Sequence, residues 1–148
     1  MISSRKLEDL LPAVQRKFHL FAGRLEQEGI DILCISTFRD SESQNALYEQ
    51  GRSLPGHIVT NAKGGESFHQ YRCAFDAVPL KDGKPLWNVF DKDNKMVPTW
   101  ETVAKVAEEV GLEWAGNWHS FKEYDHFQWT NGLTLKDLQT GKQIPDAN

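Results

Sequence analysis

The stretch SFHQYRCAFD, residues 67–76, places a histidine and a carboxylate next to and within a core-forming segment. His69 and Asp76 lie seven positions apart, and Asp76 is part of the apolar run AFDAV. A carboxylate in a core-forming segment needs a partner, because burying an unpaired charge is costly. Successive side chains of a strand alternate between its faces, so a strand over 72–78 would carry Asp76 on one face and Phe75 on the other. The stretch therefore predicts a polar site on the reverse side of a core strand.

The composition is that of an ordinary globular domain. The chain has 148 residues, 39% of them hydrophobic and 26% charged, which predicts one domain over 1–148 with a polar, loosely packed tail from about Leu133. A net charge of −4 and a pI near 5.7 argue against binding to nucleic acid. Stable membrane insertion is not expected, since no stretch approaches the roughly 18 consecutive apolar residues that a membrane helix needs.

Helices and short strands mix along the chain without a repeating βαβ rhythm. This order predicts an α+β fold in which helices flank a small mixed or antiparallel sheet. Cys34 and Cys73 are far apart and lack metal-binding spacing, so both are expected to be reduced thiols. The predicted elements are a helix within 4–28 with Pro12 near its start, a buried central strand at 30–37, a helix at 41–50 capped by Asp40 or Ser41, a functional loop at 51–66, strands at 72–78 and 125–129, and a helix at 100–110 capped by Thr99.

A second polar cluster, WHSFKEYDHFQW, occupies residues 118–129. It contains His119, Glu123 and His126 among five aromatic residues. With His69 and Asp76 it offers a possible site of two histidines and one carboxylate, and catalytic zinc commonly has three such ligands and one open position. Strand alternation would let Asp76 and His126 point at one place if their strands were neighbours.

Simpler interpretations remain open on spacing alone. A histidine beside aromatic residues is more often a hydrogen-bonded core residue than a ligand, and Asp76 could pair with the nearby Arg72. The residues therefore permit a zinc site without establishing it.

The same residues resemble the motifs of a known family, the zinc D,D-/L,D-peptidases. Ser67, His69, Ala74 and Asp76 match its S-x-H-x-x-(G)-x-A-x-D pattern, and Glu123 and His126 match its E-x-x-H pattern. The segment 36–52 is similar to the family's arginine-bearing segment, and the resemblance spans roughly residues 30–130. Two positions depart from it, since Arg72 stands where glycine is common and Asp125 stands where many relatives have proline.

The resemblance implies a fold like that of Hedgehog and the D-Ala-D-Ala peptidases, and a role for each residue. His69, Asp76 and His126 would bind one Zn²⁺, and Glu123 would act as general base and then general acid. Arg39 would bind substrate or stabilise the developing oxyanion. Four residues are weaker candidates for contacting or orienting substrate, and these are Ser67, Gln44, His119 and Trp118.

The activity that the resemblance implies is zinc-dependent cleavage of the peptidoglycan stem peptide. The subgroup most similar is that of phage endolysins that cut the L-alanyl-D-glutamate bond. The alternatives are a D-alanyl-D-alanine carboxypeptidase or dipeptidase, and a zinc-binding module of the same fold without turnover. A metal-dependent nuclease is disfavoured by the acidic pI.

The partners and location follow from the same hypothesis. The N-terminus lacks a basic region followed by an apolar one, so no secretion signal is predicted. The chain is expected to be a monomer made in the host cytoplasm. It would then need a holin-like protein to reach the periplasm and cell wall.

Overall fold

The computed structural model describes residues 1–146, and its regular elements follow the predicted order closely. Three short 3-10 helices, at Leu7–Asp9, Phe68–Tyr71 and Ala115–Asn117, connect them. The α-helices and strands in chain order are α1 (Pro12–Gln27), β1 (Asp31–Ser36), α2 (Ser41–Glu49), β2 (Ala74–Lys81), β3 (Lys84–Pro85), α3 (Pro98–Glu109), β4 (Glu113–Trp114), β5 (His126–Gln128) and α4 (Leu135–Gln139).

The strands form one antiparallel sheet in the order β1-β2-β5-β4, and β3 adds a short hairpin to β2. β2 and β5 are neighbours at its centre, with Asp76 directly opposite His126 and Phe75 directly opposite Phe127. Residues that face each other in adjacent strands lie on the same face of a sheet. One face therefore carries the two polar side chains, and the other carries the two aromatic rings.

The core lies between the aromatic face of the sheet and the helices α1 and α3. The rings of Phe75 and Phe127 stack with centroids 5.5 Å apart, and Phe21 of α1 lies 5.1 Å from Phe127. Trp100 of α3 stacks on Trp114 of β4 at 6.3 Å. All five side chains are almost entirely buried, so the sheet is fixed from behind by large rings.

The strand predicted at 30–37 forms, but its predicted central position is wrong. β1 pairs only with β2 and is an edge strand of the sheet. Its outward side chains are not covered, and Leu33 is 42% exposed. The apolar, β-branched run is explained instead by contact of the alternate residues Ile30, Ile32 and Cys34 with the core.

The helix boundaries depend on prolines and on one carboxylate. α1 begins at Pro12 and α3 at Pro98, where the missing N–H costs nothing because no intrahelical partner exists there. The predicted capping of α3 by Thr99 is therefore wrong, since Thr99 lies inside the helix and Val97 is its N-cap residue. α2 is capped by Asp40, whose side chain accepts a hydrogen bond from the N–H of Ser43 at 2.8 Å.

The tail is more ordered than predicted. After Leu133 the chain forms α4, which begins with a capping box between Thr134 and Asp137. Leu138 is buried against the core and Ile144 packs on it, so the expectation of a loosely packed tail is wrong for these residues. The last two positions of that prediction lie outside the described residues. No described helix has the length and apolar character needed to cross a membrane.

Candidate active site

Three predicted ligands meet on the polar face of the central strands. The Nε2 atom of His69 lies 3.3 Å from Oδ1 of Asp76, and Nδ1 of His126 lies 3.5 Å from the same oxygen. The candidate ligand atoms all lie within 4.8 Å of one another. Two imidazoles and a carboxylate at this spacing form a metal-binding triad with room for further ligands.

Local structure holds each member of the triad in place. Asp76 and His126 stand opposite each other in β2 and β5. His69 lies in the 3-10 helix Phe68–Tyr71, which Ser67 caps by accepting a hydrogen bond from the N–H of His69. That helix ends at Arg72, whose φ of 60° turns the chain into β2. The left-handed turn explains why glycine is favoured at this position.

Hydrogen bonds fix which nitrogen of each imidazole faces the triad. Nδ1 of His69 lies 2.7 Å from the carbonyl oxygen of Thr37, and a carbonyl can only accept, so this nitrogen carries hydrogen and leaves Nε2 free. Nε2 of His126 lies 2.7 Å from Oε1 of Gln128, which leaves Nδ1 toward Asp76. Such partners on the far ring nitrogen are usual for metal-binding histidines, so the donor set fits a divalent cation.

The electrostatics of the triad favour an anionic carboxylate. Burial raises the pKa of Asp76, but the charge and hydrogen bonds of His69 and His126 more than offset it and hold that pKa well below its usual range. Nη2 of Arg39 adds a further positive charge 3.6 Å from Oδ2. Burial alone would lower the pKa of His126, yet Asp76 raises it on balance. A cation would compete with a proton for this imidazole.

The triad opens into a cleft of about 450 Å³. Glu123 and Asp125 line the cleft together with Ser67, Arg39 and Trp118. Burial raises the pKa of Glu123, and the negative charge of Asp76 acts in the same direction. Burial, followed by the charge of Asp76, raises the pKa of Asp125 to about 6. The cleft therefore holds two partly buried carboxyl groups beside the triad.

Arg39 is held at the cleft by its neighbours. Its Nη1 donates to Oε1 of Gln44 at 2.9 Å, and its Nη2 donates to Oγ of Ser36 at 3.0 Å. Gln44 is 1% exposed and also donates to the carbonyl of Ala62 at 2.7 Å. The buried Nε of Arg39 has no hydrogen-bond partner among the described residues, so one donor of the guanidinium remains free.

The other predicted site residues divide between the cleft and its surroundings. Trp118 forms a wall, with its ring 5.3 Å from that of His126 and its Nε1 donating to Glu113 at 2.7 Å. Gln44 is not part of the cleft lining and contacts Arg39 from behind instead. His119 is exposed and is not among the residues that line the cleft. The structure therefore does not bring His119 together with the triad.

Two groups that support the histidines are not predicted from the sequence. The carbonyl of Thr37 orients His69, and Gln128 orients His126. Thr37 is itself fixed, because its N–H donates to Ser4 and its hydroxyl donates to the carbonyl of Lys6, both at 2.8 Å. A backbone carbonyl leaves no trace in sequence, whereas Gln128 had a weak signal, since it shares a strand face with His126.

Comparison with known proteins identifies relatives of the chain. A family model described as D-alanyl-D-alanine carboxypeptidase, peptidase M15, matches residues 60–129. The peptidoglycan L-alanyl-D-glutamate endopeptidase CwlK of Bacillus subtilis is 38% identical over 81% of this chain and 73% of its own length. The L-alanyl-D-glutamate peptidase of Listeria phage A118 is 31% identical over 83% of this chain, which spans 38% of that relative.

Solved structures share the fold. The L-Ala D-Glu endopeptidase ChiX of Serratia marcescens superposes with a TM-score of 0.60 at 22% identity, over 93% of this chain and 92% of its own. The LdcB LD-carboxypeptidase superposes with a TM-score of 0.61 at 18% identity, over 91% and 65% of the respective chains. These similarities confirm the predicted α+β fold with an antiparallel sheet and flanking helices.

Proposed function

The chain belongs to the M15 family of D-alanyl-D-alanine carboxypeptidases and is a peptidoglycan-hydrolysing metallopeptidase, and from this premise we propose that it cleaves the L-alanyl-D-glutamate bond of the stem peptide with one Zn²⁺. The names of two relatives support this choice of bond. The observation on which the proposal depends is the triad of His69, Asp76 and His126, with its ligand atoms within 4.8 Å, in one cleft with Glu123.

Zinc is proposed because of the donor set. Two neutral imidazoles and one carboxylate are a ligand combination of catalytic zinc peptidases. When bound, zinc supplies Lewis-acid polarisation of the scissile carbonyl and of a water molecule. The Thr37 carbonyl and Gln128 would keep His69 and His126 in the tautomers that bind it.

Glu123 is proposed as the group that moves the proton. Its carboxylate lines the cleft beside the triad, and burial brings its pKa upward toward the range useful for general base catalysis. It would accept a proton from the attacking water and return it to the nitrogen of the leaving amine. An exposed ion pair with Lys122 would not require a partly buried carboxylate.

Arg39 is proposed to stabilise the negative charge that develops on the carbonyl oxygen. Its guanidinium lines the cleft, lies 3.6 Å from Asp76 and is oriented by Gln44 and Ser36. Oriented donors of this kind contribute about 2.7–4 kcal/mol in other hydrolases. Ser67 and Trp118 also line the cleft and are proposed to contact the substrate.

A role as a phage endolysin is a finer proposal. The Listeria phage relative supports it, whereas the Bacillus relative is a bacterial protein. In that role the chain would be made in the host cytoplasm and act on the wall once a holin-like protein had opened the membrane. The alternative bond, D-alanyl-D-alanine, is suggested by the description of the family model.

The test is mass spectrometry of muropeptides after digestion of purified sacculi. Cleavage at L-alanyl-D-glutamate should leave L-alanine on the glycan and release peptides that begin with D-glutamate. A chelator should stop the reaction, and added zinc should restore it. Release of terminal D-alanine alone would support the carboxypeptidase, and activity that is indifferent to chelator would contradict the metal role.

A further inference from the structure

An aromatic groove adjoins the cleft, and its aromatic side chains have no role in the proposed reaction. It has a volume of about 320 Å³, and Val59, Glu123 and Asp125 line both it and the cleft. Trp87 and Phe121 are its exposed walls, at 57% and 40% exposure. Large exposed aromatic side chains beside an active site indicate a binding surface, because they remain in water at a cost when the site is empty.

Trp87 is exposed although its backbone is held firmly. Leu86 donates its N–H to Pro79 at 2.8 Å and accepts a hydrogen bond from Nε1 of Trp100 at 3.0 Å. Two residues after Trp87, the carbonyl of Val89 accepts from Val97 at 2.8 Å. The indole is therefore presented to solvent by an anchored segment and not by a free loop tip.

Phe121 is presented by an unusual backbone conformation. Its φ is 43°, in the left-handed region that bulky side chains rarely adopt. Such conformations have an energetic cost and are found repeatedly at binding and active sites. Phe121 is 40% exposed at the groove, so burial of its ring does not compensate for the strain. A ligand that covers the ring would compensate for this strain.

The chemistry of peptidoglycan offers one component that matches this groove. The stem peptide near the proposed bond carries a methyl group and a carboxylate, neither of which covers an indole. The sugar rings of the glycan have apolar C–H faces and N-acetyl methyl groups that stack on aromatic rings, and their hydroxyls remain in water. Lys122 balances part of the carboxylate charge in the groove, which suits a neutral ligand.

The geometry of the substrate places that sugar close to the reacting bond. L-Alanine is attached to the lactyl group of the muramic sugar, so one amino acid and the lactyl group separate the sugar ring from the proposed scissile carbonyl. One extended residue spans only about 3.3–3.6 Å, and the lactyl group adds about one such length. The groove and the cleft share Glu123, the proposed proton carrier, so the groove adjoins the place where this bond would be cleaved. For a D-alanyl-D-alanine bond the sugar would be several residues farther away.

We infer that the groove between Trp87 and Phe121 is a glycan subsite that binds the muramic sugar carrying the scissile stem peptide. The inference rests on the proposed function. It assigns to these two side chains a preference for peptides that are still attached to the glycan strand. Such an enzyme acts on intact wall in preference to released peptides.

The experiment compares two soluble substrates that share one scissile bond. The first is the disaccharide-pentapeptide, and the second is the same pentapeptide with an N-acetyl group in place of the sugar. The wild-type enzyme should have the higher kcat/KM on the glycan-bearing substrate. Trp87→Ala should lower the ratio of the two kcat/KM values by roughly three- to tenfold, mainly through KM, because one aromatic contact is lost.

Two further variants separate binding from folding. Trp87→Phe keeps an aromatic face and should restore most of the ratio. Leu20→Ala removes another large exposed apolar side chain, 48% exposed on α1, and should leave the ratio unchanged. An unchanged ratio in Trp87→Ala, or an equal loss on both substrates, would overturn the subsite. If the wild type cleaves both substrates with equal kcat/KM, the glycan subsite is contradicted and the proposed function is not. If it cleaves neither substrate, the proposed function itself is contradicted.

Discussion

Glu123 stands where the cleft meets the aromatic groove, and its carboxylate is not a member of the triad. Its replacement should therefore separate catalysis from metal binding. Glu123→Gln should lower kcat by roughly 10²–10⁴-fold, because the amide cannot take up a proton. The zinc content after dialysis should stay near one ion per chain.

Glu101→Gln, in the exposed first turn of α3, is the matched control and should retain full activity. Activity of Glu123→Gln within tenfold of the wild type would contradict the proton-carrier role. Parallel loss of zinc would mean that Glu123 holds the metal, directly or through the fold. Both readouts come from one preparation, by turnover of muropeptide and by metal analysis.

The two cysteines should react slowly as long as the chain is folded. Burial raises the pKa of Cys34 to about 11 and that of Cys73 to about 12. Only the thiolate reacts, so at pH 8 iodoacetamide should modify both far more slowly than in the denatured chain. The rate at Cys34 should rise steadily with pH up to about 11, as followed by mass spectrometry. Rapid modification of the folded chain at pH 8 would show that the thiols are not protected.

At the scale of residues, the sequence predicts those site residues whose role depends on the chemistry of their own side chains. The residue types of His69, Asp76 and His126 permit a metal site, the family resemblance selects them as ligands, and the structure brings the three side chains together. The position of His119 did not follow, because a residue type does not determine the direction in which a loop side chain points. The hydrogen bond from His69 to the Thr37 carbonyl depends on a backbone atom that every residue has.

Among the local elements, the turn at Arg72 links the 3-10 helix to β2 and permits a clean comparison. Arg72 adopts φ 60°, its guanidinium lies 4.0 Å from the centroid of the Phe38 ring, and it donates to the carbonyl of Asp9 at 2.9 Å. Arg72→Ala and Arg72→Gly lose these contacts equally. They differ in the left-handed backbone, which costs a residue with a Cβ about 1–2 kcal/mol.

The glycine variant should therefore be the more stable of the two by about 1 kcal/mol in urea unfolding. In the wild type the side-chain contacts oppose the backbone strain, so the comparison is made between the two variants alone. Equal stability of the two variants, or a more stable alanine variant, would show that the turn relaxes when the arginine is removed. The muropeptide activity of both should remain measurable, because neither change touches the triad.

Patterns of apolar residues predict individual helices and strands better than they predict which elements pack or pair with each other. α1, α2 and β2 follow from periodicity and caps that are local in sequence. The edge position of β1 depends on which strands pair with it, and pairing partners are distant in sequence. β4 has only two residues, too few for a periodic pattern. α4 was missed because a single buried residue, Leu138, anchors it.

At the scale of the whole molecule, a bound cation would tie distant parts of the chain together. His69 and Asp76 come from the middle of the chain, and His126 comes from β5. A ligand that binds only the folded state stabilises it by about 2.7 kcal/mol at a hundred times its Kd. The melting temperature should therefore rise with zinc and fall with chelator.

His69→Ala should abolish most of this zinc dependence, because two ligands hold the ion weakly. Differential scanning calorimetry of both proteins with and without zinc provides the measurement. A zinc-dependent shift of equal size in the variant would mean that the ion binds elsewhere. The absence of any shift in the wild type would count against the site itself.

The overall architecture was predictable in class but not in arrangement. The mixture of helices and strands indicated an α+β fold, and the order of the motifs indicated which segments would approach each other. The strand order β1-β2-β5-β4 was not predictable, because it reflects competition among all pairings for one core. The union of the triad with Glu123 in one cleft follows from that strand order.

The alternation of β2 and β5 has a practical consequence for engineering. Phe75 directly precedes Asp76 in the chain, and Phe127 directly follows His126, so each ring of the stacked pair belongs to a residue joined by one peptide bond to a proposed metal ligand. Repacking of these rings to improve heat resistance would therefore also disturb the positions of Asp76 and His126. Stabilising substitutions belong instead on the solvent-exposed positions of α1 or α3, which do not pack against either strand.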